Sequence, residues 1–171
     1  MVKKKEDAPA PAPEKAKTRP RGSAKARRRS ARLAAVQALY QVDLTGTDPE
    51  VVMGEFITYR FEEDIDGDKL ISADIPTFIG IVRGVTERRG QIDEMIAGSL
   101  SGAWTVDRLE VPLRAVLRAG IYELLAEPEV ATGIIIDEYV EITHAFFANR
   151  EPGMVNAVLD RIGKAVRGPA A

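Results

Sequence analysis

Three observations predict an all-α fold of about seven helices joined by short loops. Apolar residues recur at three- and four-residue spacing through most of the chain. No segment alternates apolar and polar residues over a strand length, and no Asn-Gly hairpin turn is present. Residues that start or stop helices stand between the periodic stretches.

Residues 1–22 are predicted to be a disordered tail. Ala8-Pro9-Ala10-Pro11-Ala12-Pro13 favours extended chain, and nothing around it can bury an apolar face. Helical pattern begins near Ser23, where Leu33, Val36, Leu39 and Tyr40 share one face. Asp48 before Pro49 is a good N-cap with proline in the first helical position, and a second helix carrying Val51, Val52, Phe56 and Ile57 is expected to reach about Phe61. Glu62 to Asp68 is an acidic loop. Its Asp64-Ile65-Asp66-Gly67-Asp68 run departs from a calcium loop in the place of its glycine, and Ile75 stands where the closing Glu belongs.

A third helix starts near Ser72 or Asp74, tolerates Pro76 in its first turn and buries Phe78, Ile79, Val82 and Val85. Gly80 and Gly84 are one helical turn apart, a spacing that permits close helix approach. Gly90 is expected to break the run before a short helix over Gln91 to Leu100, with Gly98 and Gly102 marking the next turn. Leu113, Val116, Leu117, Ile121, Leu124 and Leu125 form a clear amphipathic stripe opened near Pro112 and ended by Glu127-Pro128. Ile134 to Ile136 are β-branched, but Tyr139, Val140 and Ile142 with interspersed carboxylates continue them as a helix. Met154, Val155, Val158, Leu159, Ile162 and Val166 supply the last helix, leaving a folded region over 23–167 and a flexible end over 168–171.

The charge is unevenly divided. Residues 1–32 hold twelve Lys and Arg against three Asp and Glu, whereas the remainder holds twelve against twenty-three, a split hidden in the net charge of −2. A basic arm on an acidic body is the electrostatic footprint of a polyanion binder, and nucleic acid is the commonest polyanion. Lys25, Arg27, Arg28, Arg29 and Arg32 crowd the first turns of a helix, where cations oppose the dipole and repel one another. A helix that accepts this penalty uses the charge.

The chain of 171 residues has no Cys, which excludes disulfides, thiolate metal sites and a Cys nucleophile. No stretch is long and apolar enough for a membrane span, and the basic N-terminus runs into Ala-Pro repeats rather than a signal-peptide core, so the expected location is cytoplasmic. There is no phosphate-binding loop, dinucleotide fingerprint or nucleophile elbow. Glu141-x-x-His144, with Asp137 and Glu138 one turn earlier, has the spacing used by di-iron helices. Such a site needs the motif twice, and His144 is the only histidine. His144 is therefore expected to be a partly exposed helix residue, and neither catalysis nor a cofactor is expected. Trp104 is read as a packed hinge residue. Tyr40 is read as a buried ring with a wet tip, or alternatively as an edge offered to a nucleotide.

Four blocks carry a resemblance. The segment Arg27-Arg28-Arg29-Ser30-Ala31-Arg32-Leu33-Ala34-Ala35-Val36-Gln37-Ala38-Leu39-Tyr40 resembles the Arg-rich first helix of the bacterial NusB family of transcription antitermination factors. Leu113 to Leu125, Ile136 to Ile142 and Met154 to Ile162 resemble three further helices of that family, in the same order, so the likeness covers roughly residues 23–165. It implies two packed helical subdomains, binding to boxA-like single-stranded RNA of ribosomal RNA leader transcripts, a NusE-like small-subunit ribosomal protein as partner, and a place in an RNA polymerase antitermination complex.

On that reading Arg27, Arg28, Arg29, Arg32, Gln37, Tyr40, Arg150 and Met154 form the RNA-binding set, and the helix bearing Arg114, Arg118 and Tyr122 is a candidate for the protein partner. The four helix arginines wrap a broad arc, which suits a phosphate track better than base readout. Neutralising about four phosphates implies a log–log salt slope of roughly −3. Met154 replaces the family's usual Phe, Ala157 its Gly, and Arg150 stands where relatives often carry acid, so Arg150 is expected to add a phosphate contact. Two alternatives compete. One is the N-terminal module of a ribosomal RNA cytosine methyltransferase, which requires a longer chain with Cys nucleophiles. The other is a helical protein-binding adaptor whose basic arm is a solubility tail.

Overall fold

The computed structural model describes residues 21–61 and 72–169. The tail expected before Arg21, the acidic Glu62–Asp68 loop with its calcium-like run, and the last two residues lie outside them. Among the described residues there are seven α-helices and no strand: α1 (Ala24–Thr45), α2 (Pro49–Glu55), α3 (Ile75–Glu87), α4 (Arg89–Ser99), α5 (Val111–Ala126), α6 (Thr132–Phe146) and α7 (Glu151–Arg167). The all-α prediction holds.

Helix α1 starts where the sequence places it. The Ser23 side chain accepts from the amide of Ala26 at 3.1 Å. The helix stops at Gly46, whose φ of 68° is a left-handed conformation that only glycine adopts without strain. Its buried face is built largely from small residues, namely Ala31, Ala34, Ala35 and Ala38 with Val36 and Leu39. Small side chains let α3 and α5 lie close against it, and both pack on it extensively. Leu33 and Tyr40 sit at the edge of this face, half-buried against the core.

Asp48 caps α2 as expected, accepting from Glu50 N at 2.8 Å. The sequence pattern implied a regular helix to Phe61. Instead, its last turn widens into a π-helix over Phe56–Arg60. The bond from Phe61 N to Phe56 O, 3.1 Å, spans five residues and brings two aromatic rings onto one side. Phe56 stacks on Phe78 of α3 at 5.6 Å, and Phe61 meets the same ring edge-on at 5.0 Å. The wider turn thus anchors α2 to α3.

Asp74 caps α3 by accepting from Thr77 N at 3.2 Å, with a proline in the first turn. Two glycine expectations need correction. The break between α3 and α4 falls at Arg88 (φ −108°, ψ 15°), and Gly90 lies inside α4. Of the Gly80/Gly84 pair only Gly84 makes a close approach: a Cβ there would stand 1.9 Å from Cε2 of Tyr122, whereas nothing lies within 4 Å of one at Gly80.

Helices α1, α2 and α3 pack on one another, α6 and α7 pack on each other and on α5, α4 packs on α5 and α7, and α5 also packs on α1 and α3. This gives the two expected helical subdomains a shared axis. Ten residues of α5 are buried, and one apolar cluster runs from Ala31 through Val85 and Leu117 to Ile162. Trp104 packs half-buried against that cluster, as predicted. Arg167 near the end of α7 supplies the end of α5 with donors: its Nε bonds to Leu124 O at 2.8 Å and its Nη2 to Glu127 O at 2.6 Å. Leu124 O has no partner within its own helix, so the guanidinium satisfies a group that the helix end leaves open, and it shares Glu127 O with the amide of Val130. No helix among the described residues is long and apolar enough to cross a membrane.

Candidate nucleic-acid interface

The structure divides the arginine run of α1: Arg28 and Arg29 face outward, Arg27 is half-buried and Arg32 is buried. Arg28 is exposed and makes no ion pair among the described residues. Lys25, one turn earlier, is also exposed. Arg27 is half-buried with its Nε unpartnered, and its carbonyl accepts from Asp74 N at 3.0 Å, tying the loop before α3 to the start of α1.

Arg29 keeps a side chain 57% exposed, yet both arms of its guanidinium hold Glu138 of α6: Nε to Oε2 at 3.0 Å and Nη2 to Oε1 at 2.8 Å. The hydrogen bond from Arg29 and the charges of Arg29, Arg32 and Lys25 outweigh partial burial and hold the Glu138 carboxyl below its ordinary range.

Arg32 is the correction to the expected arc of four. It is 4% exposed and forks onto Glu123 of α5, Nε to Oε2 at 2.8 Å and Nη2 to Oε1 at 3.1 Å. Glu138 stands 3.9 Å from its remaining nitrogen. Tyr139, fully buried, donates its hydroxyl to the same Glu123 oxygen. Burial, followed by the adjacent Glu123 charge, pushes the Tyr139 phenol far above its ordinary value, so it remains a neutral donor. Arg32 is thus a core ion pair joining α1, α5 and α6. Its guanidinium is committed inside the fold, and a phosphate on the surface does not reach it.

A second buried hub corrects the partner assignment. Arg118 is 5% exposed, with Nε and Nη2 on Asp93 of α4 at 2.8 and 3.1 Å and Nη1 on Asp43 of α1. Arg89 joins the group at 3.1 Å from Asp43. Arg118 therefore joins α1, α4 and α5 from within and presents no partner-facing charge. Tyr122 is half-buried, with its ring on the Gly84 backbone. Arg114 is half-buried and its Nε is unpartnered. Amphipathic spacing could not separate these residues from a docking face, because arginine in a buried hub and arginine on a surface look alike in sequence.

Gln37 and Tyr40 lie two to three turns along α1 from Arg29, both half-buried. Met154 is 8% exposed, so it packs inside and offers no face to a base. Arg150 is exposed immediately before α7, a helix that packs on α4, α5 and α6. His144 is exposed in the last turn of α6, as expected. The sequence reading missed the carboxylates Glu123, Glu138, Asp43 and Asp93. Their only signal was polar residues at core-facing positions of otherwise apolar stripes.

Comparison with known proteins gives a consistent result. Residues 29–164 match the family model described as the NusB family. The transcription antitermination protein NusB of Rhizobium rhizogenes is 47% identical over 144 residues, covering 84% of this chain and 90% of that protein. The NusB of Allorhizobium ampelinum is 49% identical with the same coverage. Among solved structures, T. maritima NusB superposes with a TM-score of 0.67 at 32% identity, covering 80% of this chain and 90% of that one. A chain in the crystal structure of antitermination factors NusB and NusE in complex with dsRNA gives 0.68 at 25% identity, with 82% and 98% covered. With most of its folded length matched by the family model and by relatives near half identity, this chain belongs to the NusB family.

Proposed function

We propose that the protein is a non-catalytic, RNA-binding transcription antitermination factor of the cytoplasm. It engages boxA-like single-stranded RNA of ribosomal RNA leader transcripts together with a NusE-like ribosomal protein, within an RNA polymerase antitermination complex. The observation that carries the reading is the outward-facing basic start of α1, with Lys25 and Arg28 exposed and Arg28 unpaired among the described residues, on a chain of the NusB family. One of its solved neighbours is a chain in a crystal structure of NusB and NusE in complex with dsRNA.

Arg27, Arg28 and Arg29 form the phosphate track, with Gln37 and Tyr40 further along the same helix and Arg150 as a separate cation. Phosphate contacts of this kind hold an RNA in register without reading its bases. Arg32 supports the track from inside the fold through Glu138, and Met154 packs in the core. The acidic remainder of the chain offers complementary charge to a basic ribosomal protein and repels RNA from other surfaces.

With Arg32 internal, three arginines remain on the track, and the expected log–log salt slope falls from roughly −3 to roughly −2 for a single strand. Fluorescence anisotropy with boxA-like and scrambled RNAs, each with and without the NusE-like partner, tests the proposal. Tighter binding of the boxA-like RNA with partner is expected. Equal affinity for both RNAs, even with partner, favours a protein-binding adaptor instead.

A further inference from the structure

A cavity of about 90 Å³ opens between α1, α3 and α5, beside the basic track. Arg28, Gly80, Ile81, Tyr122, Glu127 and Val130 are among its lining residues. Two glycines one turn apart on α3 create it. Gly84 lets the Tyr122 ring lie against the helix backbone, where any Cβ would collide with it. Gly80, with no atom within 4 Å of where a Cβ would stand, leaves the space next to that ring open.

The walls differ in chemistry. Ile81, Val130 and the Tyr122 ring are apolar. The Tyr122 hydroxyl has no hydrogen-bond partner among the described residues, and burial followed by the nearby Glu127 charge raises its pKa, so it stays a neutral donor. The Glu127 side chain is exposed and has no ion-pair partner among the described residues. Arg28 contributes an uncommitted guanidinium from the track itself. A small slot with an aromatic wall, the Thr77 side chain, an uncommitted carboxylate at Glu127, an uncommitted cation at Arg28 and the paired Arg32 and Glu123 also in its lining fits a single flat ring with polar edges on an anionic backbone. Its volume is well below the several hundred Å³ of a cofactor pocket, which argues for one ring rather than a larger ligand.

We propose that this cavity receives one unstacked nucleobase of the bound RNA, with Arg28 on the adjoining phosphate, the Tyr122 ring as its apolar wall and Glu127 accepting from a base N–H. The inference rests on the RNA-binding reading above and adds to it a point of base selection that a phosphate track lacks.

Gly80→Leu tests it, because the new side chain enters open space and replaces a glycine inside a helix, so the fold is expected to persist. Circular dichroism and the thermal midpoint verify that it does. Gly80→Ala, which fills less of the cavity, is expected to give a smaller effect of the same kind. Gly80→Leu should weaken a boxA-like RNA about tenfold, within the range for loss of one stacked base. Parent protein is also titrated with a set of RNAs each carrying one abasic position. One abasic position should reproduce the tenfold loss, and Gly80→Leu should weaken that RNA no further. A folded Gly80→Leu protein that binds the intact RNA as tightly as the parent overturns the inference, as does an equal further loss on every abasic RNA. Retained RNA affinity with lost affinity for the basic protein partner assigns the cavity to that partner and overturns it too. Failure of the parent to bind any RNA in the set overturns the RNA reading itself.

Discussion

Arg29 and Arg32 are one helical turn apart on α1, and each grips a carboxylate from a distant part of the chain. One side chain is 57% exposed and the other 5%. The difference is their angle around the helix. Arg32 lies among Ala31, Ala35 and Val36, all buried, whereas Arg28 and Arg29 look outward. A run of arginines that reads as one basic patch is therefore two devices. The inner one fastens three helices together, and the outer one presents charge. The inner device also holds the outer one in place, because Glu138 touches both arginines.

Breaking the inner device should have the largest effect. Arg32→Ala leaves Glu123 buried with only the Tyr139 hydroxyl for a partner, and an uncompensated buried charge costs about 3–5 kcal/mol. For a chain of this size the thermal midpoint should fall by about 10 °C. Arg32→Lys should recover little, since a lysine ammonium cannot make the two parallel bonds that a guanidinium makes to one carboxylate. A midpoint within 2 °C of the parent for Arg32→Ala would mean that the ion pair contributes nothing net to stability.

Packing next to the track comes second. Gly84→Ala places a methyl 1.9 Å from the Tyr122 ring, so either the ring or α3 must move. Overpacking of this type costs about 1–3 kcal/mol. Gly80→Ala, one turn away, meets nothing within 4 Å and should be neutral or slightly stabilising through helix propensity. Denaturant midpoints of the two variants, measured side by side, separate a steric glycine from a permissive one. Similar midpoints would contradict the difference in their surroundings.

Much of this architecture was legible in the sequence. All seven helices, the cap at Asp48 and the ending at Glu127-Pro128 follow from periodicity and end signals, because amphipathic spacing and capping act over a few residues. What was not legible depends on contacts between distant segments. Arg118 meets Asp43 across 75 positions and Arg32 meets Glu123 across 91, so neither pairing leaves a local trace. The π-turn at Phe56–Arg60 is similar, because it forms to bring Phe61 onto Phe78 of another helix. The site was half legible: the family likeness located the basic helix, but only the fold decides which of its arginines reach solvent.

Between the two devices stands Glu138, and pH is the way to probe it. Its carboxyl lies below the ordinary value of 4.5 because it is bonded to Arg29 and close to Arg32 and Lys25. The unfolded chain therefore takes up the proton first as pH falls. This contribution to stability is complete above about pH 4.5 and declines as pH drops from there through the folded value. Glu138→Gln should be less stable than the parent at neutral pH and should lose stability less steeply below that point. Parallel acid-unfolding curves for the two proteins would show that the ion pair makes no difference to folding.

The smallest effect on stability belongs to the outer device, and there a null result is informative. Arg28 is exposed and has no ion-pair partner among the described residues, so Arg28→Ala should leave the thermal midpoint within about 1–2 °C of the parent. RNA affinity should respond differently. Loss of one phosphate contact makes the log–log salt slope shallower by roughly 0.7, and the loss of affinity should be larger at low salt than at high salt. Arg32→Ala, where enough of it remains folded, should leave that slope unchanged, because its guanidinium meets no phosphate. A slope that shifts with Arg32 and not with Arg28 would reverse the assignment of inner and outer arginines drawn from their burial.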